Sequence, residues 1–320
     1  MAVYTKVSDD EMEDFFSQYN IGEVVFYKGI AEGIENTNFL VQTSVDNFIL
    51  TIYEKRVNPK ELPFFINLMQ HLATKNFPCP EPIKDKKGAI LKEIASKPTI
   101  ISSFLKGMSP KKITVEHCGE LGSAMAKMHL ALEDFTMIRP NSMSIESWHE
   151  LYQKTKDDAD KVAPNLAAEI ADNLNEIEKL WPQDLPKGII HADVFPDNVF
   201  FLGKKLSGII DFYFACTDFL AYELAITLNA WCFEDDFSFN ITKARKMFSE
   251  YNKIRKLSDA EIKALPILAR GSALRFLLTR LYDFINTPKD ALVNVKDPTE
   301  YLMKLRFHRA VMTPEAYGIY

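Results

Sequence analysis

One stretch of this chain carries side chains whose types and spacing suit a single chemistry. His191-Ala192-Asp193-Val194-Phe195-Pro196-Asp197-Asn198 is followed, thirteen positions beyond Asn198, by Asp211 at the end of the apolar run Gly208-Ile209-Ile210. A carboxylate five residues ahead of an amide, with a second carboxylate closing a strand, supplies a base for a hydroxyl proton and two hard oxygen ligands for Mg²⁺ bridging phosphates. The set points to phosphoryl transfer onto an alcohol. Asp193 would accept the proton and orient the attacking oxygen, a role worth about 10²- to 10⁴-fold in rate; Asn198 and Asp211 would carry the metal. A lone Asp ahead of an Asn is more often a turn or cap, so the third residue in place is what favours chemistry. Asp197 divides evenly between a place at the substrate mouth and a solvated loop charge.

Such groups need a frame. The chain has 320 residues, 47% hydrophobic and 26% charged, which is the composition of an ordered protein large enough for one big domain or a two-lobed enzyme. A net charge of -6 and a pI near 5.6 argue against a nucleic-acid or anionic-membrane surface, and a small soluble partner fits better. Cys79, Cys118, Cys216 and Cys232 are widely spaced, without metal-ligand spacing, and read as buried thiols in a reducing cytoplasm. No secretory leader pattern opens the chain and no run of eighteen apolar residues occurs, so a cytosolic protein is expected.

Ser8-Asp9-Asp10-Glu11 has the form of a capping box and predicts a helix from near Asp9 that ends before Gly22. Strands are expected over 24–27, 38–43 and 48–53, a helix over 62–72, and two more strands over 89–94 and 99–104, giving a five-stranded antiparallel sheet with one helix. Past Gly107 helical spacing dominates: 115–132, a run through Leu166, Ile170, Leu174 and Ile177 that Trp181-Pro182 stops, then 219–233 and 260–285. His129, on the first of these, reads as a satisfied core histidine. The expected organisation is α+β, with a β-rich part over 1–105, a mainly helical part over 106–320, and no internal repeat.

This order of elements around an H-x-D-x-x-x-x-N loop is that of the bilobal protein-kinase-like fold. Leu121 through His129, His191 through Asn198 and Ile209-Ile210-Asp211-Phe212 resemble the aminoglycoside and choline phosphotransferase superfamily. Within it, His191-Ala192-Asp193 through Val199, Ile210 through Cys216, and Arg270 through Asp283 resemble the bacterial homoserine kinases, over essentially the whole chain. The resemblance implies ATP-dependent phosphorylation of L-homoserine to O-phosphohomoserine, a step of threonine biosynthesis, with ATP and Mg²⁺ as cofactors. It implies that Asp193 is the base, that Asn198 and Asp211 hold the metal, that His191 packs beneath the loop, and that Glu223 anchors the loop from below. Ala192 in place of the protein-kinase Arg and Tyr213 in place of the D-F-G glycine lead away from regulated protein kinases. Other small-molecule kinases of the superfamily, acting on choline, an aminoglycoside or a thio-sugar, are the alternative, and an inactive kinase-like binding protein is a third.

For the nucleotide, the turn around Gly33, Asn36 and Asn38 can offer N–H groups to phosphate, and adenine should lie against the extended backbone at Ser103 and Leu105. The third strand departs from the kinase pattern: Thr51 stands where a phosphate-pairing lysine is usual, leaving Lys28, Lys55 or Arg56 to substitute. For an amino-acid substrate, an arginine is the natural carboxylate clamp. Arg270, Arg275 and Arg280 share one predicted helix, but five-residue steps turn each about 140° from the last. Arg275 is favoured because it sits among Ala273, Leu274, Phe276 and Leu277, with an internal salt bridge as the competing reading. Asp218, Asn229 and the acidic run Glu234-Asp235-Asp236 are candidates for the ammonium, with Trp231 adding a cation-facing ring.

Overall fold

The computed structural model describes residues 5–30, 36–54, 58–287 and 295–319. The chain separates into two compact units, one of residues 1–106 with 208–210, the other of residues 107–207 with 211–320.

The first unit opens with α1 (Asp9–Ser17), set by the expected capping box: the Ser8 hydroxyl accepts the Glu11 N–H at 3.3 Å and the Glu11 carboxylate accepts the Ser8 N–H at 2.9 Å. β1 (Val24–Gly29), β2 (Thr37–Thr43), β3 (Asn47–Ile52), α2 (Leu62–Thr74), β4 (Lys92–Ile94) and β5 (Lys97–Ser103) follow. The strands form one antiparallel sheet in the order β1-β2-β3-β5-β4. One face carries Phe39, Val41, Phe48, Leu50, Ile52 and Ile101 into a core shared with Met12, Phe15 and Phe16 of α1. Strand alternation therefore puts Asn38, Leu40, Ile49, Thr51 and Ile100 on the opposite face.

β4 begins at Lys92, later than the alternation suggests. The Asp85 carboxylate accepts the N–H groups of Lys87 at 2.9 Å and Ala89 at 2.8 Å, curling the chain into a side-chain-closed turn just where a strand was expected. Ala95 and Ser96 then join β4 to β5 with φ of 51° and 59°, the conformation of a type I′ hairpin turn that Gly or Asn adopts more readily.

The second unit runs α3 (Val115–Ala131), α4 (Ile145–Ala159), α5 (Leu166–Leu180), β6 (Lys187–Ile190), β7 (Val199–Leu202), β8 (Lys205–Ile209), β9 (Cys216–Phe219), α6 (Leu220–Trp231), α7 (Ile241–Asn252), α8 (Asp259–Asn286) and α9 (Thr299–Ala310). α4, α7 and α9 were not expected. α8 starts on another capping box, Ser258 with Glu261, and carries Pro266 within it. α6 runs through the interior, buried at every position but Ala230. β6 pairs antiparallel with β9, Ile190 facing Cys216, and β7 pairs with β8. Those two pairings bring the β6–β7 connection, residues 191–198, and the β8–β9 connection, beginning at 210, to the same end of their strands. The four cysteines are buried and unpaired, and burial pushes the Cys79 and Cys216 thiols up to about 12. Among the described residues, no helix is long and apolar enough to cross a membrane.

Candidate active site

The β6–β7 connection takes a conformation that the chain does not adopt unaided. Ala192 has φ +62°, a left-handed backbone that costs a non-glycine residue about 1–2 kcal/mol. Three side chains from distant helices hold it. Glu223 of α6, fully buried, accepts the N–H groups of both His191 and Ala192, the latter at 3.1 Å. Arg275 of α8 donates from Nη1 to the Ala192 carbonyl at 2.9 Å, and the Trp231 indole N–H donates to the Val194 carbonyl at 2.8 Å. His191 lies beneath: its Nδ1 accepts the Asp193 N–H at 3.3 Å, and its ring packs 4.7 Å from that of Phe212, the neighbour of Asp211. This is the supporting role expected of His191 and of Glu223.

Asn198 closes the loop. Its Nδ2 donates to the Asp193 carbonyl at 2.9 Å and to the Asp193 carboxylate at 3.2 Å, which orients the carboxylate and leaves the Asn198 carbonyl oxygen for a cation. Asp211 has φ +67° and leads into the short turn Phe212–Phe214 without capping it. Asn198 and Asp211 thus present oxygen atoms of the hard kind that Mg²⁺ takes. Among the described residues no group of three or more His, Cys, Asp and Glu is placed to hold a metal ion by itself.

Burial pushes the Asp193 carboxyl above the usual carboxylate range; the positive charge of Arg275 leads the opposition to that shift, and Asp197 adds to it. Arg275 is 2% exposed, yet among the described residues it has no carboxylate at ion-pair distance, its Nε has no hydrogen-bond partner, and its guanidinium lies 4.4 Å from the Phe276 ring. The competing salt-bridge reading therefore applies to its neighbours on α8 instead. Arg270 is bound to Asn173 and Glu176, and Arg280 to Glu300 and the Asp297 carbonyl. Asp218, on β9, is also raised by burial; it accepts from Asn141 and from the Phe219 N–H, both at 2.7 Å, and the charges of Lys187 and Arg275 act on it.

Other expectations meet different surroundings. Asn229 is fully buried, with its Nδ2 on the Ala225 and Ala269 carbonyls and its Oδ1 facing His308 Nε2 at 3.0 Å, so no atom is left for an ammonium group. Trp231 is fully buried and serves the loop backbone rather than a substrate cation. In the acidic run, Glu234 pairs with Lys243 at 2.7 Å and Asp236 accepts from Ser238, both structural uses. In the first unit, Gly33, Lys55 and Arg56 lie outside the described residues. Asn36 is buried and its side-chain oxygen accepts the Glu54 N–H at 3.3 Å, and the Ser103 N–H goes to the Glu81 carbonyl at 2.9 Å. Leu105 is half-buried beyond the end of β5, and Asn38 accepts from the Thr51 hydroxyl at 2.8 Å. Sequence reasoning missed Lys296, whose Nζ lies 3.7 Å from Asp197 and 5.3 Å from the centre of the Phe195 ring; an isolated surface lysine gives no signal of that placement.

The phosphotransferase enzyme family matches residues 27–257 of the chain. Homoserine kinases of Rhodospirillum rubrum and Xanthobacter autotrophicus are 56% and 57% identical to it over 319 residues, covering 100% of this chain and 99% of each relative. Amicoumacin kinase, solved in complex with AMP-PNP, Ca²⁺ and Ami, shares the fold with a TM-score of 0.68 at 14% identity, covering 96% of both chains.

Proposed function

This chain belongs to the phosphotransferase enzyme family, in its homoserine kinase branch, and on that premise we propose that it transfers the γ-phosphoryl group of ATP to the hydroxyl of L-homoserine. The observation that carries the substrate is identity above one half, along the full length, to homoserine kinases. The geometry of the second unit supports the chemistry. Asp193, oriented by Asn198, takes the hydroxyl proton as the substrate oxygen bonds to the γ-phosphorus; the bond from that phosphorus to the bridging oxygen breaks and ADP leaves. Asn198 and Asp211 would hold Mg²⁺, which when bound neutralises charge on the phosphates. For the amino acid, the donors of Arg275 not used on Ala192 suit the carboxylate, and the Asp218 carboxylate suits the ammonium. The four unpaired buried thiols support a cytoplasmic setting.

The test is an assay coupling ADP release to a panel of homoserine, choline, kanamycin and methylthioribose. Homoserine alone should turn over, and Asp193→Asn should lower kcat by about 10²- to 10⁴-fold. Turnover of choline or kanamycin without homoserine would overturn the reading. Nucleotide binding with turnover of none would mark an inactive binding protein.

A further inference from the structure

Thr51 of β3 occupies the position from which a lysine ordinarily reaches nucleotide phosphates, and a neutral hydroxyl cannot supply that charge. The sheet register shows where a replacement stands. Asn38 lies directly opposite Thr51, and the Thr51 hydroxyl donates to Asn38 Oδ1 at 2.8 Å. That bond fixes the amide so that its NH₂ group is the free end; among the described residues the NH₂ group has no partner. On the next strand Lys28 faces Leu40, two residues along from Asn38, and the Ile30 N–H closes on the Asn38 carbonyl at 2.8 Å. Lys28, Leu40, Asn38, Ile49 and Thr51 therefore share the sheet face turned away from the α1 core. A diagonal neighbour at this spacing is within reach of a lysine side chain.

The face grades in exposure as well. Ile100 and Thr51 are buried at 1% and 6%, Asn38 and Leu40 are half-buried, and Lys28 is exposed with no ion-pair partner among the described residues. A cation without a partner thus stands beside an amide donor that has been aimed by a hydroxyl, on a face that also offers apolar surface. We propose that Lys28 and Asn38, with Thr51 holding the amide, take the place of the missing strand lysine and donate to the phosphate oxygens of the nucleoside triphosphate. The inference rests on the nucleotide-dependent reading above, but not on the identity of the alcohol.

Calorimetric titration of the full chain with a non-hydrolysable ATP analogue and with adenosine tests it. Lys28→Gln, an exposed substitution that leaves the fold intact, should weaken the analogue about tenfold, as loss of a charged hydrogen bond does, and leave adenosine affinity unchanged. Asn38→Ala and Thr51→Val should each weaken the analogue several-fold. Combined, they should cost no more than Asn38→Ala alone, because the hydroxyl acts only through the amide. Wild-type affinity for the analogue in Lys28→Gln, or full additivity of the other two, overturns the proposal while the phosphotransfer reading stands. Wild-type protein that binds neither ligand overturns both.

Discussion

At Asp193, burial drives the carboxyl up and the charge of Arg275 draws it back, so the acidic limb of the pH–rate profile depends on two named groups. As the proposed base, Asp193 must be ionised to accept a proton, so activity should fall as pH drops through its folded pKa. Removing the Arg275 charge removes the leading opposition to burial. In Arg275→Gln the acidic limb of kcat/KM should therefore move to higher pH, measured against wild type over the same buffer series; an unmoved limb would show that the charge does not act on Asp193. Stability runs the other way. A carboxyl raised in the fold stabilises fully below its unfolded pKa, near 3.9, and that contribution is lost as pH rises from there through the folded value, so ionised Asp193 is a burden on the fold at neutral pH. Asp193 and Asn198 were legible because their spacing is local. The partner of Arg275 was not, because it is a backbone carbonyl 83 residues away, and no side-chain pattern advertises it. Asn229 and Trp231 misled for a related reason: residue type says that a polar atom or ring is present, while burial decides whether it is already satisfied.

Among elements, the close approach of α3 to α7 gives the sharpest expectation. A Cβ at Gly122 would lie 2.2 Å from the Met247 carbonyl oxygen and 2.9 Å from its carbon, and backbone cannot swing aside as a side-chain tip can. Gly122→Ala should destabilise the protein by about 1–3 kcal/mol through overpacking, seen as a lower denaturation midpoint; an unchanged midpoint would mean that the helix pair separates at little cost. Long helices with regular apolar spacing were legible, as were the capped start of α1 and the five strands. α7 escaped despite Ala244, Met247, Phe248 and Tyr251 lining one face, since its many charged residues dilute the pattern. The two-residue Ala95-Ser96 turn escaped because neither residue is the glycine or asparagine by which such turns are read.

On the scale of the whole molecule, a buried polar network ties α6 to α9 and the C-terminal segment. His308 meets Asn229 and, through Nδ1 at 2.7 Å, the Tyr317 hydroxyl; Lys304 donates to the Asn229 carbonyl and to Glu300. Burial, helped by the Lys304 charge, lowers His308 from 6.5 to about 3, so the fold holds it neutral. The unfolded chain binds that proton first as pH falls below about 6.5, and stability is lost from there down to the folded value. Between pH 7 and pH 5 this group alone should remove on the order of 2 kcal/mol. His308→Gln, which keeps a donor toward Asn229, should flatten that part of the stability–pH curve, and a curve as steep as wild type would assign the loss to other groups.

The left-handed backbone at Ala192 also bears on how the protein is made. Residues 191–198 leave the ribosome well before Glu223, and before Arg275, whose bonds to the loop span 31 to 83 positions. Until α6 and α8 have emerged, nothing holds that conformation, so a nascent chain arrested before residue 220 carries every atom of Asp193 and Asn198 without any of the side chains that fix their loop. The conformation of the loop is set late in synthesis, by the helices rather than by the loop itself.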